Sequence, residues 1–412
     1  MKVTGIIAEY NPFHNGHLRH LKASRERTGA DYVVVAMSGC FVQRGDAAIV
    51  HKMQRAEMAL AMGADAVFEL PVCAATASAA YFAGGGVRLL GSTGVVTHMA
   101  FGSEETDLSL LSAIVSVLAD GADQLDERIR TELKNGLSYP AARALAVQNV
   151  LAQRDPQLAE QAGRAMNSGN TILALEYLLA LRAQKSPIVP LALPIPADEQ
   201  GRRDSASAIR KIVRENTPES AYAVLRDAQL MPQGALELLT SGKRESVFSL
   251  SLNDFSDMLY HKLRSMSLPE LAAVPDVGDD LAARILNGLP EFTDAESFLS
   301  RLSVRSYTRT RLARALVHVL LSVSPYPAGS DPPYLRLIGM RQDAGALIRT
   351  IRENASVPLL QRLDAENIKR LSPEGKALLD QDLFASDLYR QVFARKHGIT
   401  LPRDYENPCV IY

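Results

Sequence analysis

Residues 3–21 read VTGIIAEYNPFHNGHLRHL, an apolar, β-branched run halted at Asn11-Pro12 and followed by His14, His17 and His20 at three-residue intervals. The run predicts a short buried strand. HNGHLRHLKASRERTGA, which follows, predicts a helix that stops at Gly29. A helix start offers unpaired backbone N–H groups and the positive end of the helix dipole, so it is ready for an anion. His14 and His17 share one face of that first turn, and Gly16 between them leaves room for a phosphate or an adenine against the backbone. Imidazoles placed there can donate to phosphate oxygens and stabilise charge developing at phosphorus. Two other readings of the same residues stay open: a metal site on the His14/His17 pair, and ordinary surface histidines. No carboxylate follows at the spacing of zinc motifs. Neither G-x-x-x-x-G-K-[ST] nor a G-x-G-x-x-G after the first strand occurs.

Working outward, DYVVVAMSG, DAVFELP and VVTHMAFGSE read as three further strands, separated by helical stretches such as HKMQRAEMALAMGA. Strands alternating with helices predict right-handed βαβ units, hence an α/β, Rossmann-like parallel sheet. Such sheets bind ligands beyond the carboxyl ends of their strands, which is where the histidines fall. From about Thr106 to Leu181 the pattern is helical. SPIVPLALPIPADEQGRRDSASAIRKIVREN then returns to extended sequence before a helix, with Ser207 or a neighbour as its cap. Beyond residue 218 strand signals thin out and Leu/Ala-rich helices dominate, with SVSPYPAGSDPPY as the strongest loop. The expectation is a nucleotide-binding catalytic domain over 1–217 and an α-helical domain over 218–412.

With 412 residues the chain exceeds the usual single-domain size, and a formal net charge of -1 gives no global basic excess. Nucleic-acid binding must therefore rest on local stretches. Three widely spaced cysteines, Cys40, Cys73 and Cys409, argue against a disulfide scaffold or a cysteine zinc site. The first residues lack a signal-peptide pattern, and no run of about 18 apolar residues occurs. A cytoplasmic protein with no membrane span is expected.

H-x-G-H after a buried first strand resembles the nucleotidyltransferase superfamily signature. Longer stretches narrow this: IIAEYNPFHNGHLRHL, AMSGCFVQRGDAAIVHKMQRAEMAL, GADAVFELP, SAAYFAGGGVRLL, FGSE, GNTILALEYLLAL and SASAIRK. Together, and more loosely with RSYTRTRLARAL and ENPCVIY, they resemble the bacterial tRNA(Met) cytidine acetate ligase family over nearly the whole chain. The resemblance implies that acetate and ATP form acetyl-adenylate. The acetyl group then passes to N4 of the wobble cytidine of elongator tRNA(Met), giving N4-acetylcytidine, AMP and pyrophosphate. It implies ATP as co-substrate, Mg²⁺ from ATP chemistry, acetate and tRNA as partners, and neither DNA nor a membrane. The chemistry asks for in-line positioning and charge neutralisation rather than a covalent nucleophile. Cys40 accordingly reads as a small packed residue.

By resemblance the ATP loop comprises Ile7, Ala8, Glu9, Tyr10, Asn11, Pro12, Phe13, His14, Asn15, Gly16, His17 and His20. His14 and His17 face the phosphates as catalytic groups, and Gly102 and Asn170 also contact the nucleotide. Asn170, before a helical run, reads independently as an N-cap. SASAIRK is similar to the second superfamily signature and puts Ser207 and Arg210 near the β and γ phosphates, Arg210 counting as catalytic. Ser38, Gln43, Arg44, Asp46 and Lys52 form a polar segment at the carboxyl end of the second strand, read as closing over acetate or the adenylate with Arg44 or Lys52 offsetting its charge; the alternative is a solvated connection. One departure stands out: where the family carries an ATP-contacting arginine before a Tyr-His pair, LALPIPADEQGRRD has no arginine before Pro196 and has Arg202-Arg203 in place of the pair. Either of those arginines substitutes, or the contacts differ.

RLSVRSYTRTRLARAL is the most basic window. Arg305, Arg309 and Arg311 suit RNA phosphates and Tyr307 suits stacking on an unpaired base; the alternative is an exposed helix face. The runner-up function is an adenylyltransferase acting on a small phosphorylated metabolite. Such enzymes are compact, and the helical half and basic stretch count against it. A non-catalytic binding protein is the third reading, against which both histidines stand.

Overall fold

The apolar run that opens the chain becomes the middle of a sheet. The computed structural model describes residues 1–195, 206–240, 247–304, 307–324, 332–406 and 409–412. Strand β1 (Val3–Ala8) pairs in parallel with β2 (Tyr32–Ser38), and a short antiparallel hairpin, β3 (Phe41–Val42) and β4 (Asp46–Ala47), follows. Next come β5 (Ala66–Leu70), parallel to β2, then β6 (His98–Ser103), parallel to β1, and β7 (Val189–Pro194), parallel to β6. Val33, Val34, Val35, Ala36 and Met37 are all fully buried, as expected of a central parallel strand covered by helices on both faces. The helix α1 (Asn15–Thr28) links β1 to β2, and α2 (Lys52–Ala61) links the hairpin to β5.

The order β5-β2-β1-β6-β7 means that the chain builds outward from β1 in one direction and then crosses to the other side. The reversal falls between β1 and β6, and the crevice beyond their carboxyl ends is where an open α/β sheet takes its ligand. The loop after β1 and Gly102 at the end of β6 both lie there.

The fold class matches the expectation, with one addition from the late, helix-rich segment. β8 (Leu335–Met340) pairs antiparallel with β5 and carries β9 (Leu359–Leu360) and β10 (Val410–Ile411) in parallel beside it. The sheet therefore runs across residue 217. The helices between 256 and 321 enclose a core of Phe255, Leu259, Leu281, Ile285, Phe298 and Leu316, which also takes in Phe41, Ala47 and Cys73. The hairpin tip is the seam. Gly45 sits at φ +77°, and a Cβ there would lie 2.3 Å from the backbone nitrogen of Arg314, so only glycine permits this approach. Among the described residues no single helix is long and apolar enough to cross a membrane.

Candidate active site

His14 is the N-cap of α1, and it builds the helix start together with His17. Nδ1 of His14 accepts from the Gly16 N–H at 3.1 Å, and Nδ1 of His17 accepts from the His14 N–H at 3.3 Å. This is a capping box made of two imidazoles, a role usually filled by Ser/Thr and Glu/Gln. It satisfies two of the orphan donors of the helix start, and it also fixes chemistry. A neutral imidazole that accepts at Nδ1 carries its proton at Nε2. Both rings therefore present an Nε2–H donor, and they lie stacked with centroids 3.7 Å apart. Burial, then the neighbouring His14, His20 and Arg210, hold the His17 pKa well below the ordinary histidine value. Tyr10 and Phe13 support it from behind, with ring centroids 4.9 and 5.6 Å from His17.

These groups line a cleft of about 480 Å³ at the β1/β6 crossover. Its walls come from the end of β1 and its loop (Ile7, Ala8, Glu9, Tyr10, Asn11), from α1 (His14, Gly16, His17, His20) and from the hairpin (Gln43, Arg44). Gly102, Asn170, Tyr177, Ser207 and Arg210 close it. A Cβ on Gly102 would meet Ile195 at 3.4 Å and His20 at 3.9 Å, ordinary contacts, so packing does not demand glycine there. The missing side chain instead widens the cleft. His20 bonds to the Phe101 carbonyl, which leaves its Nε2 buried without a partner; burial pushes its pKa down to about 4. Its unprotonated nitrogen can only accept, which suits an N–H or O–H group rather than phosphate.

Arg210 reaches the cleft from the helix Ala206–Glu215, donating to the Asn11 carbonyl at 2.8 Å and to Ser207 Oγ at 2.9 Å. Ser207 is the second residue of that helix; the cap itself, like Arg202 and Arg203, lies outside the described residues. Asn170 is also a second helical residue. The cap of Gly169–Ala183 is Ser168, and the Asn170 amide donates to Glu104 at 2.9 Å. The cap reading of Asn170 is thus corrected by two positions, while its place in the cleft wall stands.

Five expected contacts turn away from the cleft. Lys52 is fully buried and pairs with Glu69 at 2.8 Å and Asp404 at 2.7 Å, because the start of α2 points it at β5 rather than toward ligand. Ser38 is buried at the end of β2. Pro12 and Phe13 pack inward beneath the loop. Asn15 donates from Nδ2 to the Gln229 carbonyl at 2.7 Å, on the far side of the helix start.

The basic window is largely engaged. Arg309 pairs with Glu296, Arg301 with Glu291, and Arg314 with Asp276 at 2.9 Å. Arg311 donates to the Asp276 carbonyl at 3.3 Å and lies over the Tyr307 ring at 5.0 Å. Arg305 is outside the described residues. Arg309 and Thr310 nevertheless line a second cleft of about 790 Å³, which shares Asn11, Arg44 and Arg210 with the first. No group of three metal-ligating side chains gathers among the described residues.

Leu173 and Tyr177 line the nucleotide-sized cleft without having stood out as functional in the sequence, and Gln43 lines it beside them. Leu173 and Tyr177 sit at core spacing on a helix and give no signal; Gln43 lies in the polar segment already read as a candidate loop. Arg55 also passed unnoticed. It is fully buried, and its guanidinium donates to carbonyls of Glu9 at 2.6 Å, Ser38 at 3.0 Å, Val50 at 3.0 Å and also Gly39.

The chain matches the family described as HIGH Nucleotidyl Transferase over residues 1–401. The tRNA(Met) cytidine acetate ligase of Acetivibrio thermocellus is 37% identical over 405 residues, covering 94% of each chain. That of a Thermoanaerobacter species is 33% identical over 418 residues, covering 100% of both. Thermotoga maritima TmcAL bound with alpha-thio ATP superposes with a TM-score of 0.90 at 28% identity, over 100% of this chain and 99% of that one.

Proposed function

The chain belongs to the HIGH nucleotidyl transferases and, within them, to the tRNA(Met) cytidine acetate ligase family, and from this we propose how its own residues carry that reaction. The enzyme condenses acetate with ATP to acetyl-adenylate, releasing pyrophosphate, and transfers the acetyl group to N4 of the wobble cytidine of elongator tRNA(Met). The observation that carries the reading is the imidazole capping box at the β1/β6 crossover, two Nε2–H donors in a chain that matches these ligases end to end.

Acetate is a poor acyl donor until its oxygen is bonded to phosphorus. In the first step an acetate oxygen attacks the α-phosphorus and pyrophosphate departs. His14 and His17 donate to the phosphate oxygens that gain charge, and Arg210 offsets the departing anion. Arg44, on the hairpin, is suited to the acetate or adenylate side. His20 and Asn170 suit the amino and hydroxyl groups of the nucleoside. Magnesium would arrive on the triphosphate and be held mainly by phosphate oxygens, since Glu9 is the only carboxylate among the described residues that lines the cleft.

Residues 1–217 carry the nucleotide chemistry in this reading, and 218–412 supply the tRNA-binding helices. Arg305, Tyr307, Arg309 and Arg311 are the tRNA candidates. The Arg309–Glu296 pair is exposed, and such pairs contribute about 0–1 kcal/mol, so RNA phosphate can displace the carboxylate.

The test is radiolabelled acetate with ATP and bulk tRNA, beside a parallel run with α-labelled ATP and a metabolite extract. Acetate label entering tRNA is expected. AMP label joining a metabolite, with no acetate on tRNA, would make the enzyme an adenylyltransferase of small phosphorylated metabolites instead.

A further inference from the structure

Glu9 is an odd residue for a cleft that takes a triphosphate. It follows β1 directly and lines the cavity, yet it is an anion. Among the described residues its carboxylate accepts one hydrogen bond, from the Gln43 N–H to Oε1 at 3.0 Å, and forms no ion pair. The charged and titratable groups around it are Arg44 from the hairpin, Arg210 from the helix Ala206–Glu215, Arg55 from α2 and Tyr177 from the helix Gly169–Ala183. Arg55 is occupied by backbone carbonyls, including that of Glu9 itself. Arg44 and Arg210 belong to the wall shared by the two clefts, so Glu9, which lines the nucleotide cleft, lies close to the side chains that border the larger groove beside Arg309.

That junction is where an acceptor entering by the groove would meet the adenylate. The exocyclic amine of cytosine is a weak nucleophile because its lone pair is delocalised into the ring. Once it attacks, the nitrogen carries a proton that must leave. Resting on the ligase reading, we propose that Glu9 is the base that removes this proton during acetyl transfer. The nitrogen lone pair forms the new N–C bond. The bond between the acetyl carbon and the adenylate oxygen breaks, and its electron pair departs with AMP. The proton passes from N4 to the Glu9 carboxylate. Burial raises the Glu9 pKa against the lowering effects of Arg44, Arg210, Arg55 and the Gln43 N–H, which makes it a stronger base than an exposed glutamate. Adenylation consumes no such base, since acetate attacks as an anion.

Glu9→Gln separates the two steps, because the amide oxygen can still accept from Gln43 while the basicity is gone. In the full-length enzyme, acetate-dependent ATP–pyrophosphate exchange should fall far less than acetyl transfer does, whatever Glu9 contributes to the ATP cleft that it lines. Single-turnover acetyl transfer to tRNA should fall by about 100-fold and lose the acid limb of its pH profile. Equal losses in both steps, or unchanged transfer, overturn the proposal; unchanged transfer would send the proton to the leaving phosphate. If Glu9→Gln fails to fold, Glu9→Asp decides. Transfer slowed more than exchange, with the acid limb intact, supports the base, and equal losses in the two steps overturn it. A wild-type enzyme with no acetate-dependent exchange would instead fail the ligase reading itself.

Discussion

The proposed reaction gives His17 two jobs with two different nitrogens, and paired substitutions pull them apart. Nδ1 caps α1 by accepting from the His14 N–H at 3.3 Å, which leaves Nε2–H as the ring's donor in a residue that lines the cleft. Alanine removes both. Asparagine places an amide oxygen where Nδ1 was and offers nothing where Nε2 was. Loss of a capping interaction costs about 1 kcal/mol, which in a chain of this length is a melting shift of about 1 °C. Loss of a preorganised donor to developing oxyanion charge costs about 2.7–4 kcal/mol, a 100- to 1,000-fold fall in rate. His17→Ala should therefore melt about 1 °C below His17→Asn, while the two are equally impaired in acetate-dependent pyrophosphate exchange. Neither substitution touches the second cleft, so tRNA binding should stay near wild type. Exchange in His17→Asn above about one tenth of wild type would refute the reasoning, since it would mean that Nε2–H is not the acting donor. Identical melting curves for the two variants would equally deny the cap its weight.

Gly102→Ala should fold normally, its Cβ meeting only ordinary contacts at Ile195 and His20, yet raise the KM for ATP by about 10-fold, or about 1.4 kcal/mol; an unchanged KM would place the nucleotide elsewhere. Lys52→Ala should cost about 3–5 kcal/mol of stability by leaving two buried carboxylates, Glu69 and Asp404, to Arg336 alone, read from denaturation midpoints, while the KM for acetate stays put in whatever folded enzyme is recovered. His51 is buried, and its pKa is held down to about 3 by desolvation first and Lys52 next. Since the unfolded chain takes up that proton near pH 6.5, stability is retained above this and falls as pH drops, by about 2 kcal/mol at pH 5 for this group. Urea midpoints should show a pH slope between 6.5 and 5 that shrinks by about one proton in His51→Asn; an unchanged slope refutes it. Arg309→Ala combined with Arg311→Ala should raise the KM for tRNA and flatten its salt dependence without altering pyrophosphate exchange; a loss in exchange would mean that the two segments do not divide the labour.

The junction of β1 and α1 was readable because its signals are local: a β-branched run, a proline stop, and histidines at helical spacing. What those histidines do for each other was not readable. Hydrogen-bond direction fixes the tautomer, and direction is a property of backbone geometry rather than of composition. Lys52 shows the complementary failure. A polar residue just past a strand reads as facing ligand, but its partner Asp404 lies 352 positions along the chain, and no local pattern announces such a pair. The same cluster hid β8. Its run LRLIGM contains Arg336, which reads as a surface residue, yet the side chain is buried against Glu69 at 2.8 Å and Asp404 at 3.0 Å. The arginine-rich window looked like a free basic patch because the acids that pair with it, Glu291, Glu296 and Asp276, sit in neighbouring turns of chain rather than within it.

Arg55 joins these threads. The carboxyl ends of parallel strands present carbonyl oxygens, and an anion site built there begins with the wrong sign of dipole facing its ligand. Arg55 answers this from beneath: its guanidinium takes up carbonyls of Glu9 and Ser38, at the ends of β1 and β2, together with those of Gly39 and Val50. The cation is fully buried and spends its donors on backbone rather than on a carboxylate. Those four oxygens are thereby turned from ligand repulsion into rigid loop anchors. The cleft above can then meet a triphosphate with two arginines, a helix start and neutral imidazoles, and still keep one carboxylate, Glu9, without an ion pair among the described residues. A site that relied on charged histidines could not hold His14 and His17 stacked at 3.7 Å; like charges that close would drive one ring out of the cap. Neutral donors above, a buried cation below: this division is what the proposed phosphate and base roles at one strand end require.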